Sequence, residues 1–555
     1  MAGTWQPLTN QPTFGASTML LLTDGTVMGQ DGGGVNWWKL TPDAFGSYIA
    51  GTWSPLSPMH HERLYYASAV LRDGRVFFAG GEYSDAGGET TASEIYNPVL
   101  NLWTEITPPA GWTEIGDAPC CVLPDGRVLL GSIQTTDTAI FDPADASWTP
   151  IGGKDCASSE ESWVLLPDET VLTAECLGHP RAEKFVAAAD QWVSAGTIPV
   201  EVVQASSLEI GPGVLLPDGR AFFAGATGHT ALYTPPPIAN QPGAWIAGPD
   251  FPGDPNGVPF QAKDAPGCLL PNGKVLCVAS PAAEGGSFPG PTHFFEFDGG
   301  TLTGVPDPPN NGGPCFTGRL LLLPTGEVLF ASGTTDVQVY TPDGAPDPAW
   351  APHITFCPTN VQAKQTFTIQ GRQLNGVSQA CSYGDDAGVA TNYPIVRIRN
   401  LNSGHVRYCR TFNHSTMGVA TGTVIHHTSV KIPAGIETGP SQLCLIANGI
   451  SSNCVDVLVH PFRLHFHFDE AAVARLLGSL ADGPLWVLGP HGPVPVDPMQ
   501  KELAAGAREA TDALVDAVKQ LQILGRQATD MHAGHARFDV SGVQPSKRRS
   551  ESEDA

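Results

Sequence analysis

The sequence predicts a mainly β protein, a closed ring of seven four-stranded blades followed by a β-sandwich and a C-terminal helical segment. Two observations predict it. Seven segments of the first 350 residues share one pattern, an apolar run, a turn centred on Gly, and a second apolar run, and an aromatic-plus-turn signature recurs between them. Beyond residue 350 the period vanishes and new patterns take over.

The seven segments read LLLTDGTVM, VLRDGRVFFAGG, VLPDGRVLLGS, LLPDETVLTAEC, LLPDGRAFFAGA, LLPNGKVLCVAS and LLPTGEVLFASG. Asp-Gly or Asn-Gly between two apolar runs supplies the positive φ of a tight turn, so each segment is expected to be a β-hairpin. The turn glycines are Gly25, Gly74, Gly126, Gly219, Gly273 and Gly326, with Glu169 in the equivalent place of the fourth unit. Their spacing of about 50 residues matches a kelch-type blade. Tyr96, Phe141, Phe185, Tyr233 and Tyr340 follow the hairpins, each with a tryptophan close behind: Trp103, Trp148, Trp192, Trp245 and Trp350. Packing between blades is their expected use. Because Thr4-Trp5 precedes the first hairpin, the N-terminus is expected to supply the outer strand of the last blade and so remove a free sheet edge. Residues 1–350 therefore read as a seven-bladed kelch-type β-propeller.

Residues 351–460 contain short alternating segments such as QTFTIQG and TSVKIPA, the pattern of an immunoglobulin-like β-sandwich. Residues 461–540 are expected to be a helical tail, with helices over 469–480 and 499–524. In the second, Leu503, Ala507, Ala510, Leu514, Ala517, Leu521 and Leu524 form a heptad seam suited to self-association, to a partner helix or to packing on the propeller itself. Residues 541–555 read as a disordered tail.

Composition limits the function. The chain has 555 residues, 55 acidic and 29 basic, for a formal net charge of −26. That balance argues against nucleic acid and anionic membranes as partners, since both are held through Lys and Arg. No apolar run approaches the ~20 residues of a membrane span, and no basic, apolar leader opens the chain. A cytoplasmic location, or export without a leader, is expected. Among twelve cysteines, Cys268 and Cys277 flank Asn272-Gly273 and Cys444 and Cys454 are arranged similarly around Ala447-Asn448-Gly449. Both spacings permit disulfides across a hairpin, with reduced, buried thiols the alternative. Cys156 with Cys176 and Cys381 with Cys409 are further candidates.

A kelch-type propeller followed by an immunoglobulin-like domain resembles the galactose oxidase and glyoxal oxidase superfamily, with its early-set C-terminal domain. The resemblance implies one copper held by two histidines and two tyrosines, one tyrosine crosslinked to a cysteine, at a position about nine residues before each hairpin glycine. That position reads Ala16, Tyr65, Asp117, Glu160, Ile210, Asp264 and Thr317 around the ring. Tyr65, in Arg63-Leu64-Tyr65, matches the crosslinked tyrosine, and His414 resembles the histidine that the early-set domain projects into the axis. No cysteine stands in Phe14-Gly15-Ala16-Ser17, and Phe316-Thr317 replaces the Tyr-His pair; neither residue serves a copper-radical site. Copper-radical oxidation of an alcohol or aldehyde with a non-standard site is thus the alternative reading. The leading one is a non-oxidase relative that binds a carbohydrate or a protein at the propeller mouth through Arg63, Tyr65, Asp117, Glu160, Asp264, Arg319 and His414, with no resident cofactor. The tail would serve assembly or docking, and a structural component of a larger assembly is a third reading.

Overall fold

The computed structural model describes residues 3–85, 87–383 and 390–465, together with the short strands Trp486–Gly489, Gly492–Pro495 and Arg537–Asp539. Among them helix is confined to three-residue 3-10 turns. The expected tail helices lie outside the described residues. Within the stretch read as helical, Trp486–Gly489 pairs antiparallel with Gly492–Pro495, and Arg463–His465 pairs parallel with Arg537–Asp539.

Seven antiparallel blades form the propeller, six of them four-stranded and the blade 6 sheet six-stranded through Phe260–Gln261 and Cys381–Tyr383. Their innermost strands are Ala16–Leu21, Ala67–Val70, Cys120–Val122, Trp163–Leu165, Gly213–Leu215, Pro266–Leu269 and Arg319–Leu322. Each is fully buried, which is why the runs are continuously apolar rather than alternating. The outer strand of blade 7 is Thr4–Pro7, with Trp5 opposite Tyr340, so the first and last parts of the propeller share one sheet. Each tryptophan packs first within its own blade, Trp103 against Tyr96, Trp148 against Phe141 and Trp245 against Tyr233, with ring centroids 4.9–5.0 Å apart, and then between blades, Trp103 against Trp37 at 5.6 Å and Trp148 against Phe77 at 6.1 Å.

The inner hairpins differ from expectation in one respect that matters later. In blade 6, Leu270 N–H donates to Lys274 O and Gly273 N–H to Leu270 O, and only Gly273 of the loop has positive φ (+86°). The loop therefore has three residues closed by a left-handed glycine instead of a two-residue turn. The register moves by one, putting Cys268 opposite Leu276 and Gly267 opposite Cys277. Successive side chains on a strand face opposite sides of the sheet, so the two thiols are on different faces. Cys268 and Cys277 are accordingly free, as are Cys156, Cys176, Cys381 and Cys409. At Asn448-Gly449 both residues have positive φ (48° and 67°), the two-residue turn expected of Asn-Gly, and Cys444–Cys454 is a disulfide.

The second β region pairs Thr366–Arg372 with Ile425–Lys431, Ile425–Lys431 with Val406–Phe412, Val406–Phe412 with Ile395–Asn400, and Ile395–Asn400 with Gly439–Ala447, all antiparallel. It packs on the hairpin-turn face of the propeller. Thr411 N–H donates to Thr23 O at 3.1 Å, Arg410 Nη2 to Asp73 O at 2.6 Å, and a Cβ on Gly25 would stand 2.6 Å from the Tyr408 side chain. From this region the strand Cys381–Tyr383 enters the ring and pairs with the innermost strand of blade 6. Residues 360–365, 434–438 and those from 459 onward belong to a second compact unit.

Candidate functional site

The inner strands end at hairpin turns covered by the second β region. The opposite face, where they begin, holds the candidate site. The chain enters five of the seven inner strands through a sharp bend: Tyr65, Gly116, Ser159, Leu208 and Asp264 all have positive φ between 48° and 66°. For residues other than glycine this conformation is strained, and its recurrence at one place in the ring marks where the fold bends backbone to aim side chains.

Tyr65 is half-buried there, with the Arg319 guanidinium 5.3 Å from its ring centroid and Tyr83 packed edge-on at 6.1 Å. Arg319 is itself buried and anchored by donating to Phe316 O and Gly318 O at 3.0 and 2.9 Å. Across the ring, burial and a hydrogen bond shared with Glu160 push the Glu209 carboxyl up to about 11, reinforced by the Asp264 charge. Two carboxyl groups that share a site resist ionising together, so Glu209 keeps its proton at neutral pH. Burial also raises Glu82, with the charge of Glu160 adding to it, and pushes Glu89 up to about 7 with help from Glu82, Glu114 and Glu160. Glu89 Oε2 accepts from the Asp117 N–H at 3.2 Å, while Asp117 Oδ1 is buried without a hydrogen-bond partner. The Lys263 ammonium sits 4.1 Å from the Phe288 ring centroid and is lowered, first by burial. Phe288 packs on Phe316 at 4.9 Å.

Tyr65, Asp117, Glu160, Asp264 and Arg319 thus belong to this end of the ring. Two sequence-predicted residues do not. Arg63 is fully buried inside blade 2, where Nη2 meets Glu94 Oε2 at 2.8 Å and Nη1 donates to Ala92 O at 2.7 Å. Its side chain completes an ion pair in the sheet and offers no group to a ligand. His414 is buried on the hairpin-turn face, where its N–H donates to Arg72 O at 3.2 Å and its Nδ1 meets Thr428 Oγ1 at 2.9 Å. Arg72 is seven residues along the chain from Tyr65, about 20 Å at the ~3.3 Å rise of a strand, so His414 and Tyr65 stand at opposite ends of the inner strand. Burial lowers the imidazole to about 3, with Arg72 and Arg410 contributing. The segment that does enter the ring is Gln379–Tyr383, where Ser382 Oγ reaches Ser162 Oγ at 2.9 Å.

Sequence reasoning missed Glu82, Tyr83, Glu89 and Phe288 because they come from loops after the second inner strand, outside the repeating position. The one available signal was the Gly80-Gly81 pair, whose positive φ values (72° and 106°) turn the chain back toward the axis just before Glu82 and Tyr83.

The fold is that of the galactose oxidase-like kelch propellers. Among solved structures it is similar to a fungal alcohol oxidase of the AA5 family in complex with copper, with a TM-score of 0.50, 13% identity, and coverage of 83% of this chain and 100% of that one. It also matches a catalytically inactive virginiamycin B lyase from Staphylococcus aureus with quinupristin, with a TM-score of 0.45, 12% identity, and coverage of 61% of this chain and 99% of that one. No family model and no curated protein matches the sequence. At such identities the likeness is one of fold.

That fold raises the question of copper. Among the described residues no group of three or more His, Cys, Asp or Glu side chains could hold a metal ion. His414 is at the far end of the inner strands, and Cys315, two residues from Thr317, donates its thiol to Lys263 O at 3.1 Å. His414 therefore does not stand beside Tyr65, where the resemblance placed it.

Proposed function

We propose that the protein is a non-oxidase relative of galactose oxidase that binds a neutral, hydroxyl-rich ligand, a carbohydrate, at the propeller mouth. The observation that carries this reading is the set of acidic groups at the strand-entry end of the ring, Glu160 with its protonated neighbour Glu209, and Asp264, with Tyr65 held at the same end against Arg319. Sugar hydroxyls both donate and accept. Carboxylates take their protons, the neutral Glu209 carboxyl donates back, and the half-exposed Tyr65 and exposed Tyr83 rings suit the apolar faces of a pyranose. An anionic ligand would meet repulsion from the carboxylates. In this reading residues 351–460 are an immunoglobulin-like sandwich of the early-set type, and the residues after 460 serve assembly or docking.

The test is a glycan array followed by calorimetry on the best binder. Tyr65→Ala and Glu160→Gln are expected to weaken binding at least tenfold, with Arg63→Met retaining affinity in whatever fraction folds. Stoichiometric copper uptake with peroxide release on alcohols or aldehydes would sink the proposal and restore the oxidase reading. Capture of a protein instead of any glycan would replace the carbohydrate with a protein ligand.

A further inference from the structure

The strand Cys381–Tyr383 is the edge of the blade 6 sheet and carries a cysteine to the propeller's inner strand. Leu269 N–H donates to Ala380 O at 2.9 Å, so those two residues form a hydrogen-bonded pair and the next pair, Cys268 opposite Cys381, is the non-hydrogen-bonded kind. In such pairs the Cα atoms approach to about 4.5 Å and the side chains come closest. That separation lies inside the range a disulfide requires, and the bonded Cys444–Cys454 pair of this chain has a Cα separation of 4.4 Å. The two sulfurs are 3.3 Å apart and both residues are buried. Leu322 N–H, from the inner strand of blade 7, points at Cys381 Sγ from 3.2 Å, a donor placed to steady negative charge on that sulfur.

We propose that Cys268 and Cys381 are a redox-active pair whose disulfide staples the inserted strand to the propeller axis. Cys381 is the attacking group: its thiolate displaces one thiolate from a low-molecular-weight disulfide, forming a mixed disulfide. Cys268, deprotonated in turn, attacks the Cys381 sulfur and releases the second thiolate. The two cysteines lose two electrons, the oxidant gains them, and the two protons pass to the departing thiolates. Cys381 is 4% exposed on a strand of three residues whose backbone pairs on one side only, with Leu322 N–H and Ser162 Oγ as further holds, so exchange proceeds as this edge lifts locally. The bond closes a loop across 113 positions of sequence, joining the insertion to the ring.

The test uses the full-length protein and oxidised glutathione at pH 8, followed by alkylation and peptide mapping without reduction. A peptide joining Cys268 to Cys381, two fewer alkylated cysteines, and a Tm several degrees higher are expected, since a long closed loop restrains the unfolded chain most. Cys381→Ser and Cys268→Ala each should abolish that Tm increment. Recovery of Cys268 and Cys381 separately alkylated or as glutathione adducts, or of either joined to Cys277 or Cys409, would overturn the proposal. The outcome is independent of what binds at the propeller mouth.

Discussion

Replacing Arg63 by Met separates a structural ion pair from a ligand-binding role. Both charged side chains have zero exposure, with Arg63 Nη2 2.8 Å from Glu94 Oε2. Glu94 Oε1 keeps a second partner, His60 Nδ1 at 2.6 Å, whose side chain is 48% exposed. Removing one member of a buried pair typically costs about 3–5 kcal/mol, mostly because the remaining charge is left uncompensated. His60 offsets part of that cost, so Arg63→Met should destabilise by about 3 kcal/mol, roughly two decades in the unfolding equilibrium. Glu94→Gln in the same chain removes the stranded charge, and the double variant should recover about half of the loss. The assay is urea unfolding at pH 7 on the four proteins of the double-mutant cycle, which isolates the pair from its surroundings. A cost below about 1 kcal/mol for Arg63→Met, together with loss of ligand binding, would refute the structural assignment.

Further outcomes follow from the same geometry. The Glu209 carboxyl is raised far above the ordinary value, so the folded state holds a proton that the unfolded state has released above pH ~4.5; its contribution is full below that pH and is lost as pH rises. The buried Glu161 and Glu183, pushed up to about 7 and about 8 chiefly by burial, act in the same direction. Tm should therefore fall from pH 5 to pH 8, and Glu209→Gln should flatten the slope by up to about 1.4 kcal/mol per pH unit; an unchanged slope by calorimetry would contradict the proton-sharing pair. Gly273→Ala combines a φ of +86° with a Cβ placed 2.4 Å from the Trp350 ring. It should cost about 2 kcal/mol or more by denaturant unfolding, and a neutral result would rule out the left-handed three-residue loop.

Much of the fold was legible because its causes are local. Gly25, Gly74, Gly126, Gly219, Gly273 and Gly326 mark six of the seven inner hairpins, Glu169 takes the same left-handed conformation in the fourth (φ 67°), and Trp5 announces ring closure by its likeness to Trp103 and Trp148. The site was partly legible for a similar reason. Tyr65, Asp117, Glu160 and Asp264 share a strand position, and a repeat carries position faithfully. Glu82, Tyr83, Glu89 and Phe288 come from loops of unequal length that no period predicts. His414 was misplaced because the motif around it says nothing about which face of the ring its strand connection covers.

The two Cys-to-Cys hairpins show the division most directly. Asn-Gly lies in both, yet only Cys444 and Cys454 are joined: Cys268 and Cys277 sit in an unbroken ladder whose three-residue loop puts Cys268 opposite Leu276, whereas Cys454 lies in the break between the strands Ile450–Ser451 and Val455–His460. Side chains alternate with a period of two, so a one-residue change of register moves Cys268 to the other face of its sheet, away from Cys277. There it meets Cys381, delivered from a separate part of the chain. Sequence alone determined that hairpins, blades and a closed ring would form, since turn chemistry and apolar repeats act over a few residues. Register, the face each thiol occupies, and the gathering of carboxylates at the strand-entry end of the ring were decided by packing between elements far apart in the chain.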